Sequence, residues 1–75
     1  MITEKARELS KIAHEGIESF PANWRAQKEL EVELTYNCDP TLEEFLELIG
    51  DLIYKPEIYY DIWIVKRKIL QKNRV

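Results

Sequence analysis

The amino-acid sequence predicts an all-α protein, a small up-down bundle of about four short helices. Three observations predict it. Apolar residues recur at three- and four-residue steps through most of the chain, three prolines divide it into four segments of similar length, and capping residues stand at the segment starts. The alternative is an α+β fold with strands near 29–36 and 58–67.

The first segment runs from Thr3, which reads as an N-cap, to Phe20, with Ala6, Leu9, Ile12, Ala13, Gly16, Ile17 and Phe20 on one amphipathic stripe. Pro21 interrupts it, and Asn23 is placed to cap a second helix whose first residue is Trp24. Over 24–36, Leu30, Val32, Leu34 and Tyr36 alternate with Glu29, Glu31, Glu33 and Thr35, the period of a half-buried strand. The stretch Arg25 to Glu31 is nevertheless rich in strong helix formers, and Glu and Lys are depleted in strands, so helix is preferred. Ala26, Leu30 and Leu34 then form one stripe, with Val32 and Tyr36 nearly opposite.

Thr41 followed three residues later by Glu44 makes a capping box, after Asp39 and Pro40. Leu42, Phe45, Leu46, Ile49, Leu52 and Ile53 form the face of this third helix. Gly50 sits inside the pattern at a cost of about 1 kcal/mol relative to alanine, and reads as a point of close approach for another helix.

The fourth segment opens with Pro56-Glu57 and closes with Lys66-Arg67-Lys68 and Lys72, matching a helix at both ends. Its β-favouring run, Ile58 to Val65, is what keeps the strand alternative open. On a helix, Ile58, Ile62, Val65 and Ile69 fall in one narrow stripe spaced 4, 3 and 4, which reads as core. Tyr59, Trp63 and Leu70 make a second stripe, and Tyr60 and Ile64 lie on the far side beside Arg67. This helix is apolar on more sides than one core uses. Tyr59, Tyr60, Trp63, Ile64 and Arg67 are therefore the expected binding residues, since Tyr, Trp and Arg are enriched at interface hot spots. Val32 and Tyr36 could extend that patch.

A single domain, 1–75, of this size buries only about 60–65% of its unfolded surface, so its core is thin and self-association or a partner is an expected source of stability. Cys38 is the lone cysteine, which excludes an intrachain disulfide and fits a reducing, cytoplasmic setting. No apolar run is long enough to span a membrane, and the N-terminus does not read as a signal peptide.

The net charge of −3 is unevenly spread. Seven acids face Lys55 alone between Cys38 and Trp63, whereas Ile64 to Val75 holds five bases and no acid. Those bases complement a helix C-terminus, or else Lys66, Lys68, Lys72 and Arg74, with Arg67, contact an anion. Nucleic-acid binding is the alternative function on that basis, against the repulsion implied by a pI near 5.1.

No catalytic, metal or cofactor signature accompanies these features. His14 is the only histidine and pairs at i+4 with Glu18, Cys38 lacks a basic neighbour to form its thiolate, and Glu43, Glu47 and Asp51 read as a solvated edge able to steer a basic partner. Two glycines build no phosphate loop. Asp51-Leu52-Ile53-Tyr54-Lys55-Pro56 is similar to the Asp-Leu-Ile-Tyr-Tyr-Pro segment of the colicin-type nuclease immunity proteins. Lys55 replaces the second tyrosine, the preceding His-Pro-Ser-Gly is absent, and a match of this length assigns no family. The expected function is a non-enzymatic protein-interaction module, a small regulatory adaptor or inhibitor of the phage-, plasmid- or toxin-linked type, binding a protein partner or a second copy and no small-molecule substrate.

Overall fold

A computed structural model of the chain describes residues 1–15 and 21–72. Among the described residues 79% are helical, with four α-helices: α1 (Glu4–Ala13), α2 (Ala22–Tyr36), α3 (Leu42–Ile49) and α4 (Pro56–Lys72). A 3-10 turn, Gly50–Leu52, follows α3. No strand occurs among the described residues, so 29–36 and 58–67 are helical and the α+β alternative is set aside.

Thr3 caps α1 by accepting from the Ala6 amide at 3.2 Å, and Ala6, Leu9, Ser10 and Ala13 form its buried stripe. Ile12, expected on that stripe, is exposed, and Gly16, Ile17 and Phe20 lie outside the described residues. Ser10 crosses to α3, its hydroxyl donating to the Leu48 carbonyl at 2.8 Å.

α2 begins two residues earlier than the expected Trp24, with Pro21 rather than Asn23 in the cap position. The Pro21 carbonyl already accepts from the Arg25 amide at 3.1 Å, so the helix starts without a side-chain cap. Asn23 instead donates to the Glu15 carbonyl at 3.3 Å. Ala26, Leu30 and Leu34 are buried as the stripe predicted, while Val32 is exposed.

The capping box of α3 is formed in both directions: Glu44 donates its amide to Thr41 Oγ1 at 3.1 Å, and its carboxylate accepts from the Thr41 amide at 3.0 Å. Phe45, Leu48 and Ile49 are its buried residues, whereas Leu42 is exposed. Gly50 is not the expected point of close approach, because a Cβ there would meet nothing within 4 Å. It sits where α3 tightens into the 3-10 turn, with an ordinary right-handed backbone (φ −46°, ψ −46°). Lys55, just before Pro56, takes a left-handed φ of 59° and turns the chain into α4.

The core is formed by Ala6, Leu9 and Ala13 of α1, Ala26, Leu30 and Leu34 of α2, Phe45, Leu48 and Ile49 of α3, Cys38 between them, and Trp63 of α4. The stripe expected to be the α4 core lies outside. Ile58, Ile62, Val65 and Ile69 are 55, 54, 58 and 55% exposed, whereas Trp63 is 5% exposed. Relative to the expectation, core and surface have exchanged faces on this helix.

Candidate functional site

The inward face of α4 explains that exchange. Phe45 is ringed by aromatic side chains, with centroid distances of 5.9 Å to Tyr59, 5.0 Å to Tyr60 and 5.3 Å to Trp63. Each of these rings carries a polar end that finds an acceptor: the Trp63 indole donates to Thr35 Oγ1 at 3.2 Å, Tyr60 donates to the Pro40 carbonyl at 3.2 Å, and Tyr59 donates to the Glu31 carboxylate. Burial pushes the Tyr59 phenol well above its ordinary pKa, and the adjoining Glu31 pushes it further.

Arg67 extends this stitching along the end of α2. Its guanidinium donates to the carbonyls of Thr35 (3.2 Å) and Cys38 (2.7 Å) and to the Asp39 carboxylate (2.9 Å), and it lies 5.3 Å over the Trp63 ring. Gln71 adds a second donor to the Thr35 carbonyl at 2.8 Å. The last turn of α2 contains no basic residue, and the terminal carbonyls of a helix need donors from elsewhere. An isoleucine stripe offers none. The Arg67 hydrogen bond, with its charge, also holds the Asp39 carboxyl below its usual range.

All five residues expected to bind a partner are thus committed to packing. Trp63 is buried, Tyr59, Tyr60, Ile64 and Arg67 are half-buried against the core, and Arg67 is occupied by three acceptors. The outward surface instead carries Ile58, Ile62, Val65 and Ile69. On one side of that stripe, a groove of about 220 Å³ runs between α2 and α4, bordered by Val32, Tyr36, Ile62, Lys66 and Leu70 over a floor of Thr35 and Trp63. At 100° per residue, the other side carries Glu57, Asp61, Lys68 and Lys72, all exposed.

The bases expected to meet an anion do not converge. Lys66 borders the groove, while Lys68, two residues and about 200° further round the helix, stands across the stripe. Arg74 lies outside the described residues, as does Glu18, the expected partner of His14. The His14 Nδ1 lies 2.7 Å from the Ser10 carbonyl. Cys38 is buried, 3.5 Å from Thr3 Oγ1. Glu43, Glu47 and Asp51 are exposed, with Glu47 3.9 Å from Arg7. Among the described residues, no group of His, Cys, Asp and Glu is arranged to hold a metal ion, and no helix is long and apolar enough to cross a membrane.

The spacing of 4, 3 and 4 on α4 was a visible signal for the exposed stripe, because it is the repeat of a helix-pairing seam as much as of a core. Compared with known protein families, curated proteins and solved structures, the chain matches none of them.

Proposed function

We propose that this chain is a non-enzymatic protein-interaction module, acting in the cytoplasm as a small regulatory adaptor or inhibitor, that docks through the outward stripe of α4. The observation that carries this reading is the run of four β-branched residues, Ile58, Ile62, Val65 and Ile69, each more than half exposed on one face. Contiguous apolar surface of this kind is characteristic of interaction sites, whereas scattered single residues are not. The groove beside it, with Val32 and Leu70 also exposed, widens the apolar area on the α2 side. The acidic edge of α3 supports faster encounter with a basic partner.

The test is capture from a lysate of the native host at low and at high salt, with and without nuclease treatment, with wild type beside Ile62→Asp/Val65→Asp. A protein retained in stoichiometric amount by wild type and lost by the variant is the expected result. Binding that is equal in both overturns the assignment of the face. Binding that disappears with nuclease or salt supports phosphate contacts through Lys66, Lys68 and Lys72 instead.

A further inference from the structure

We infer that the occupant of the α4 stripe is a second copy of this chain, with the two α4 helices antiparallel about a two-fold axis near residues 63–64. The inference rests on the docking face proposed above and specifies its partner and geometry. The stripe has the spacing of a two-helix seam, Ile58 and Val65 at one core position and Ile62 and Ile69 at the other, along about 16 Å of helix. Antiparallel pairing stacks Ile58 on Ile69 of the second copy and Ile62 on Val65, so four apolar layers form with no polar residue between them.

Charge selects the second copy and the direction. One flank of the stripe reads Glu57, Asp61, Lys68, Lys72, two acids towards the helix N-terminus and two bases towards its C-terminus. A two-fold axis perpendicular to the helices lays this flank against its own reverse. Asp61 then faces Lys68 of the second copy and Glu57 approaches Lys72, each twice. The two helix macrodipoles also oppose. Parallel pairing would instead bring the other flank across, leaving Lys66 between Asp61 and Lys68 of the second copy with the dipoles aligned. Isologous two-fold contact is the commonest symmetry of soluble oligomers. The committed inner face leaves this stripe free to pair, since Arg67, Trp63 and Tyr60 already bind within the chain.

Sedimentation equilibrium on the full chain tests the inference with Asp61→Lys and Lys68→Asp, both exposed positions at which the helical signal should not change. Wild type is expected to be a dimer. Each variant alone, with like charges meeting at both ends, should dissociate about tenfold more readily. An equimolar mixture should regain wild-type affinity, because the two introduced charges, of opposite sign, then face each other at one end while the native Asp61 and Lys68 face each other at the other. Variants that dimerise like wild type, or a mixture that gains nothing, would overturn the antiparallel pairing, and a trimer or tetramer would overturn the two-fold contact. Wild type that stays monomeric at millimolar concentration overturns the second copy as occupant. The docking face itself falls only if the Ile62→Asp/Val65→Asp variant also captures partners as wild type does.

Discussion

Arg67 and Ile62 sit five residues apart on one helix and do opposite work. The guanidinium supplies the donors that the end of α2 lacks, and its removal leaves the Thr35 and Cys38 carbonyls partly unsatisfied in a half-buried setting. Arg67→Ala should therefore destabilise the fold by about 2 kcal/mol, and Arg67→Lys should recover only part, because a single ammonium does not reproduce the fork of donors. Ile62→Ser with Val65→Ser should change the stability of the dilute protein by less than about 0.5 kcal/mol per residue, since both side chains already face solvent. Urea denaturation at low protein concentration reads both. Comparable losses for the two sets would place the stripe in the core.

At the scale of the element, α3 owes its definition to its two ends. Thr41→Ala removes the hydroxyl that accepts from the Glu44 amide, leaving the backbone arm of the capping box in place, and should cost about 1 kcal/mol. Gly50→Ala should behave in the opposite sense. The right-handed backbone accepts a side chain and nothing occupies the space, so restricting the unfolded chain should raise stability by about 0.4–1 kcal/mol. Thermal melts followed by circular dichroism check the pair, and a destabilised Gly50→Ala would show that a neighbour closes on that position. α4 shows how far an element can be read from its own residues. Proline and acid placed its start correctly, because those signals are local. The identity of its buried face depended on α2, whose end has carbonyls that Arg67 and Gln71 satisfy and a Thr35 hydroxyl that accepts from Trp63.

For the whole molecule, two carboxyls tie its parts together and a third caps α3, and the three give it a pH dependence. Glu33 accepts from Thr3 Oγ1 at 2.7 Å and from Asn37 at 2.9 Å, which lowers its pKa; Asp39 is lowered by Arg67, and Glu44 by the Thr41 amide. Each folded value lies below the ordinary one, 4.5 for the glutamates and 3.8 for Asp39. Below those values the unfolded chain binds more protons, so the stability these groups contribute is present at neutral pH and is lost as pH falls through the folded values. Urea midpoints should drop between about pH 6 and pH 3, and drop less in Glu33→Gln. A flat profile would show that these contacts do not survive in solution. The helical class, the capping box, Ala6, Leu9 and Ala13 of the α1 stripe, the α2 stripe and the start of α4 follow from sequence alone, because periodicity and caps act within a few residues of one another. The start of α2, the setting of Gly50 and the outward turn of Ile58, Ile62, Val65 and Ile69 were decided by tertiary structure. When two faces of one helix are equally apolar, burial goes to the face whose polar ends can also satisfy the backbone it covers.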